Sequence, residues 1–126
     1  MGDILKKRIV VVEDERDILE LLNMILTRAG YEVYLCDNGR NAMPLIKSTR
    51  PHLVMLDVML PGFDGKAIAA AMAEDEDLAA TSIIVVSALE ESEKMFQGHP
   101  QIKDFCFKPF RSSVLLEKVK KVMGDA

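Results

Sequence analysis

Near its middle the chain reads Leu53-Val-Met-Leu-Asp-Val-Met-Leu-Pro-Gly-Phe-Asp-Gly65. The first four residues are all apolar, which is typical of a parallel strand buried on both faces. Asp57 follows this strand directly, and the proline and glycines of the loop 58–65 favour tight turns. The stretch predicts a buried central strand with a carboxylate at its carboxyl end.

Similar short runs recur along the chain and alternate with segments of helical spacing. Besides 53–56, the predicted strands are 9–12, 33–36, 83–86 and 105–107, and the predicted helices are 18–26, 40–48, 66–73, 90–97 and 112–123. We expect Pro44 to bend or interrupt the second helix, because proline has no backbone N–H. We also expect Gly98, His99 and Pro100 to end the fourth helix early.

This alternation predicts an α/β fold in which helices cover both faces of a parallel sheet. The expected architecture is a doubly wound, flavodoxin-like sheet of five strands in the order 2-1-3-4-5 with five helices. A chain of 126 residues has the length of one compact domain, so we expect residues 1–126 to form a single domain.

Composition excludes several classes of protein. A net charge of -4 argues against direct nucleic-acid binding, and no apolar run approaches the roughly 20 residues of a membrane span. Cys36 and Cys106 fall in apolar runs on opposite predicted edges, too far apart for a disulfide, which favours a reducing, cytoplasmic location. With only His52 and His99 as histidines, a zinc or iron site lacks ligands, so any metal must be held by oxygen.

Polar side chains follow four of the predicted strands. Glu13 and Asp14 follow the first, Asp57 the third, Ser87 the fourth and Lys108 the fifth. The carboxyl ends of parallel strands lie at one edge of a sheet, so these side chains should converge there. Three carboxylates at one place repel one another unless a cation lies among them, and oxygen ligands with room for water suit Mg²⁺ or Mn²⁺.

Phosphoryl transfer is the chemistry that such a set favours. Asp57, on the central strand, is best placed to act as nucleophile, and Glu13 and Asp14 are then metal ligands. Lys108 and Ser87 would contact phosphoryl oxygens. The loop 58–65 could add backbone carbonyls to the metal.

Four segments resemble the receiver domains of two-component response regulators, and together they span nearly the whole chain. They are Ile9-Val-Val-Val-Glu-Asp14, the stretch Leu53–Gly65 quoted above, Ile83-Ile-Val-Val-Ser-Ala88 and Phe105-Cys-Phe-Lys-Pro-Phe110. The resemblance implies a phosphoprotein that carries an aspartyl phosphate in phosphorelay signalling.

The resemblance also implies roles for individual residues. Asp57 is then the phosphoacceptor, Mg²⁺ is held by Glu13, Asp14, Asp57 and the Met59 carbonyl, and Phe105 is the switch aromatic that moves with Ser87. It further implies a cis peptide before Pro109, a sensor histidine kinase or phosphotransfer protein as donor, and a downstream protein target that binds at helix 4, strand 5 and helix 5.

Two features depart from the usual family pattern, and two further residues bear on hydrolysis. Glu13 stands where many members have Asp, and Gln101 with Ile102 replaces a small Gly-Ala step before the fifth strand. Met59 and Leu89 occupy positions that tune hydrolysis in the family. Both are apolar and cannot orient an attacking water, so we expect slow self-dephosphorylation.

Three other classes of function could use a fold of this kind. A pseudo-receiver that only docks other proteins would usually lack the phosphoacceptor or the lysine, and both are present here. A phosphatase of the haloacid dehalogenase type needs a second acid where this chain has Met59, so we expect no separate substrate turnover. A flavin site is disfavoured because an acidic loop, 13–17, follows the first strand.

Overall fold

The computed structural model describes residues 6–60 and 62–125. The turn expected at Pro61 and the outermost parts of the predicted domain 1–126 lie outside these residues. The single-domain assignment therefore stays a prediction.

Five strands and five helices alternate along the described residues. The strands are β1 (Arg8–Val12), β2 (Glu32–Cys36), β3 (Leu53–Leu56), β4 (Ser82–Ser87) and β5 (Ile102–Phe107). The helices are α1 (Arg16–Arg28), α2 (Ala42–Thr49), α3 (Gly65–Glu74), α4 (Ser92–Met95) and α5 (Ser112–Met123).

All strand pairs are parallel, and the order is β2-β1-β3-β4-β5. The predicted α/β class and strand order are therefore confirmed. The chain order reverses between β1 and β3, which is where ligands bind in sheets of this kind. No helix in the described ranges combines the length and the apolar character needed to cross a bilayer.

Alternate residues of the central strands pack into two separate cores. On one face Val10, Val54 and Ile83 belong to a cluster that includes buried residues of α2 and α3. On the other face Ile9, Met55 and Ile84 pack with buried residues of α1 and α5. This arrangement explains why β1, β3 and β4 are apolar at almost every position.

The observed start of helix α2 differs from the predicted start, and this changes the position of Pro44 within the helix. The helix begins at Ala42 rather than at residue 40, so Pro44 lies in its first turn. The backbone N–H groups of a first turn have no acceptor within the helix, and proline costs little there. The expectation that Pro44 bends or interrupts α2 is wrong.

Helix α4 is much shorter than its predicted range of 90–97. Only Ser92–Met95 are helical, and Gly98 follows with a φ of 81°. The side chain of Gln101 is buried and donates hydrogen bonds to the carbonyls of Leu78 and Thr81, both at 2.8 Å. This glutamine ties the segment before β5 to the loop before β4, because it supplies donors to two carbonyls there.

Candidate functional site

Backbone pairing continues one residue past the strand ends and fixes the positions of the polar side chains. The amide of Asp57 donates to the carbonyl of Val12 (3.0 Å), and the amide of Lys108 donates to the carbonyl of Ser87 (2.9 Å). Glu13 follows Val12 directly. The predicted convergence at the carboxyl edge of the sheet is therefore confirmed for these residues.

Three carboxylates come together at this edge. Glu13, Asp14 and Asp57 each place an oxygen within 4.8 Å of the others. Glu13 and Asp57 are buried, whereas Asp14 is exposed. The group thus presents one solvent-facing and two buried oxygen ligands.

The ammonium of Lys108 lies against this group. It donates a hydrogen bond to Asp57 Oδ2 (3.2 Å) and lies 2.6 Å from Glu13 Oε1. At this distance the contact with Glu13 is a short ion pair, and Glu13 Oε1 has no other polar partner among the described residues. Lys108 is therefore shared between a predicted metal ligand and the predicted nucleophile.

Burial and the neighbouring charges shift the pKa values of Glu13 and Lys108. Burial raises the pKa of the Glu13 carboxyl to about 7, and the charge of Asp57 adds to the rise, although Lys108 and the Glu15 amide oppose it. Burial alone would lower the pKa of Lys108, but its contacts with Glu13 and Asp57 raise that pKa. The pKa of Glu13 is therefore raised even with Lys108 beside it.

Ser87 and the two residues predicted to tune hydrolysis flank the cluster. The Ser87 hydroxyl oxygen accepts a hydrogen bond from the amide of Leu89 (3.0 Å), and this bond does not use the hydroxyl proton. The amide of Met59 donates to Asp57 Oδ1 (3.2 Å), and the Met59 side chain is exposed. The roles assigned to Ser87, Met59 and Leu89 stay predictions.

Phe105 lies on β5 in a row of aromatic rings rather than in the cluster. Its ring centroid is 6.5 Å from that of Phe96 and 6.3 Å from that of Phe107. In the sheet Phe105 pairs with Val85, two residues before Ser87. The ring is half-buried, and its role as a switch residue stays a prediction.

Gly65, at the end of the loop after β3, lies very close to the backbone of Asp57. A Cβ atom at this position would lie 2.2 Å from the carbonyl oxygen of Asp57, so only glycine fits. Asp64 then caps α3 by accepting a hydrogen bond from the Ala67 amide (2.9 Å). The Lys108–Pro109 peptide is cis, as the resemblance implied.

Sequence reasoning missed one residue of the site. Glu15 Oε1 accepts a hydrogen bond from Lys108 Nζ at 3.2 Å, which brings a further carboxylate to the lysine. A signal was present, since Glu15 belongs to the same acidic segment, 13–17, as the predicted metal ligands. Spacing alone could not show that its side chain turns towards Lys108.

Comparison with known proteins supports this reading of the fold. Residues 9–120 match the family model of the response regulator receiver domain. The signal receiver domain of a signal transduction histidine kinase from Syntrophus aciditrophicus is 30% identical, with a TM-score of 0.84; the match covers 94% of this chain and 90% of that chain.

Two other solved structures were determined with magnesium. The response regulator TrrA from Thermotoga maritima, in complex with Mg²⁺-BeF, is 33% identical, with a TM-score of 0.81, over 92% of this chain and 98% of that chain. The receiver domain of a Pseudomonas aeruginosa sensor histidine kinase, with a magnesium ion in its active-site cleft, is 23% identical, with a TM-score of 0.83, over 96% of this chain and 100% of that chain. At that identity the likeness shows the fold alone. The chain belongs to the response regulator receiver domains, the phosphoacceptor modules of two-component signalling.

Proposed function

We propose that this protein is a phosphorylation-dependent signalling switch that accepts a phosphoryl group on Asp57. The observation that carries the proposal is the position of Asp57, which lies within 4.8 Å of Glu13 and Asp14 oxygens and bonds to Lys108 at 3.2 Å. A nucleophile with carboxylates on one side and an ammonium on the other suits phosphoryl transfer, which depends mainly on positioning and charge.

We infer that Glu13, Asp14 and Asp57, with the Met59 carbonyl, hold Mg²⁺ or Mn²⁺. The donor set fits, because it consists only of oxygens and includes the exposed Asp14, which leaves room for water. Burial and the charge of Asp57 raise the pKa of Glu13, and a cation bound beside this carboxylate would stabilise its charged form. When bound, the metal supplies positive charge to phosphoryl oxygens.

The transfer itself needs few groups from the protein. A carboxylate oxygen of Asp57 bonds to phosphorus as the bond from phosphorus to the donor breaks, and the electron pair of that bond stays on the donor. The donor is a phosphohistidine of a sensor kinase or phosphotransfer protein, or a small acyl phosphate. Lys108 stabilises charge on one phosphoryl oxygen, and the hydroxyl proton of Ser87 bonds to another.

Phosphorylation then changes the face formed by α4, β5 and α5. In this proposal Ser87 moves towards the phosphoryl group and Phe105 repacks, which shifts the population between two packings. The face carries a groove of about 500 Å³ lined by residues including Phe105, Phe107 and Val114. Phe107 and Val114 are exposed, so this surface could bind a downstream protein.

The test is intact-mass spectrometry after incubation with Mg²⁺ and acetyl phosphate. We expect one phosphoryl adduct on the wild type, none on Asp57→Asn, and none with a chelator. Asp37→Asn is the matched control, because Asp37 is an exposed aspartate that directly follows β2 at the same edge. The control should be labelled like the wild type.

A time course in the same experiment tests the hydrolysis prediction. Because Met59 and Leu89 cannot orient water, the adduct should persist after the donor is removed. Rapid loss would contradict slow self-dephosphorylation. A folded wild type that takes no adduct would favour the docking-module function instead.

A further inference from the structure

The ammonium of Lys108 has three carboxylate neighbours among the described residues. It bonds to Asp57 Oδ2 and Glu15 Oε1, both at 3.2 Å, and lies 2.6 Å from Glu13 Oε1. A lysine ammonium has three N–H donors. A phosphoryl oxygen that contacts Lys108 must therefore replace one of these three carboxylates.

Burial decides which carboxylate can leave. The Glu13 side chain is 1% exposed and that of Asp57 is 5% exposed, whereas that of Glu15 is 62% exposed. Releasing Glu13 would leave a buried charge without its partner, and Asp57 is itself the proposed acceptor. Glu15 can return to water at little cost, because exposed ion pairs are weak.

The backbone of Glu15 is anchored while its side chain remains free to turn. Its amide donates to Glu13 Oε2 (3.1 Å), and its carbonyl accepts from the amide of Leu19 (2.9 Å). Glu15 is the residue before α1, in an extended conformation. Its carboxylate can therefore leave Lys108 without any change in the helix.

We propose that Glu15 is a positioning residue that restrains phosphorylation: it occupies a donor of Lys108 in the unphosphorylated protein and is displaced by a phosphoryl oxygen. The inference rests on the proposed function, since it concerns the same lysine. The exchange replaces one N–H···O contact with another and forms no covalent bond. The negative charge of Glu15 near Lys108 also opposes the approach of an anionic phosphodonor.

Removing the charge of Glu15 should therefore speed phosphorylation. The variant is Glu15→Gln, and the matched control is Asp17→Asn, which removes an exposed carboxylate from the first turn of α1 that has no contact with Lys108 among the described residues. Initial rates of adduct formation are measured by mass spectrometry with saturating Mg²⁺ and acetyl phosphate. We expect Glu15→Gln to react about two- to fivefold faster than the control.

A second readout does not depend on phosphorylation. In metal-free protein, ¹H–¹⁵N NMR of lysine ammonium groups reports hydrogen exchange at Lys108, whose signal is assigned with Lys108→Arg. Glu15→Gln should accelerate this exchange several-fold because one hydrogen bond to a carboxylate is lost, and Asp17→Asn should leave it unchanged.

The outcomes separate the two proposals. Equal labelling rates for Glu15→Gln and Asp17→Asn, or unchanged exchange at Lys108, would overturn the role of Glu15 while phosphorylation of Asp57 stands. A wild type that takes no phosphoryl group overturns the proposed function, and the role of Glu15 in phosphorylation with it.

Discussion

Two clusters, each centred on a lysine, lie at opposite ends of the strands, which we call the carboxyl edge and the amino edge of the sheet. At the carboxyl edge, Lys108 is 10% exposed and faces Glu13, Asp57 and Glu15. At the amino edge, Lys7 pairs with Asp125 at 2.7 Å, and their side chains are 38% and 33% exposed. Among the described residues, Lys108 thus faces three carboxylates and Lys7 faces one.

The two clusters differ in what they contribute. At the amino edge Lys7 donates to Asp125 and to the carbonyl of Met123, and the Tyr31 hydroxyl donates to the other oxygen of Asp125. This balanced group ties the end of α5 to the residues before β1 and β2. At the carboxyl edge the three carboxylates around Lys108 repel one another, and in our proposal a bound cation offsets this repulsion in the functional protein. We therefore expect the ratio of charges and their burial to distinguish the stabilising cluster at Lys7 from the proposed reactive cluster at Lys108.

The largest expected difference between the clusters is in the rate of phosphorylation. Lys108→Met removes the ammonium that bonds to Asp57 among the described residues, and we expect the rate with acetyl phosphate to fall about a hundredfold. Lys7→Met makes the same chemical change at the amino edge and should leave the rate unchanged. Initial rates of adduct formation at saturating Mg²⁺ measure both, and equal effects would end the distinction between the clusters.

The next effect is on stability as a function of pH in the metal-free protein. The folded-state pKa of Glu13 is about 7, above its ordinary value of 4.5, so the folded state binds the extra proton between these values. Stability should therefore fall as pH rises through this window, by an amount on the order of 2 kcal/mol. Urea unfolding with a chelator measures this slope, and Glu13→Gln should reduce it.

Asp125 should respond in the opposite direction. Hydrogen bonds from Lys7 and Tyr31 lower its pKa, so its contribution is present above its ordinary pKa and is lost as pH falls through the lowered value. A stability profile of Glu13→Gln identical to that of the wild type would contradict the assignment of the neutral-pH slope to Glu13.

The smallest effects come from neutralising one acid in each cluster. With a chelator, Asp14→Asn should raise the free energy of unfolding by about 0.5 kcal/mol, because it relieves repulsion. Asp125→Asn should lower it by about 1 kcal/mol through the loss of its ion pair. Changes of the same sign would refute the contrast between the two clusters.

Added magnesium should change the stability of these two variants by different amounts. For a dissociation constant of about 1 mM, about 10 mM Mg²⁺ should stabilise the wild type by roughly 1.4 kcal/mol. Asp125→Asn should retain this gain, whereas Asp14→Asn should lose most of it. Stabilisation of both variants to the same extent would place the metal elsewhere.

The sequence was sufficient to predict the strands and the residues that follow them. Runs such as Ile9–Val12 and Leu53–Leu56 are apolar at every position because both faces of the sheet are covered. Since parallel strands end at one edge, the positions of Glu13, Asp57 and Lys108 followed from the order of the strands. These predictions depend only on where strands begin and end and on their order, and short apolar runs in the sequence indicate both.

The parts that could not be predicted depend on side-chain and tertiary detail. The start of α2 decides whether Pro44 lies in the first turn or in the interior, and local pattern does not fix that boundary. Helix α4 is a single turn, and the segment that follows it is held by contacts of the buried Gln101. These contacts join residues about 20 positions apart, so local sequence does not predict them. The contact between Glu15 and Lys108 depends on a rotamer and on the separation of two loops.

The most direct measurement is to locate the phosphoryl group in the wild type. Borohydride reduces an acyl phosphate to an alcohol, so the modified aspartate becomes homoserine and can be identified by peptide mass spectrometry. Our prediction is homoserine at position 57 and at no other acid, and only in samples that contained Mg²⁺ and acetyl phosphate. Homoserine at Asp14 or Asp64, or a phosphoryl adduct that leaves Asp57 unreduced, would contradict it.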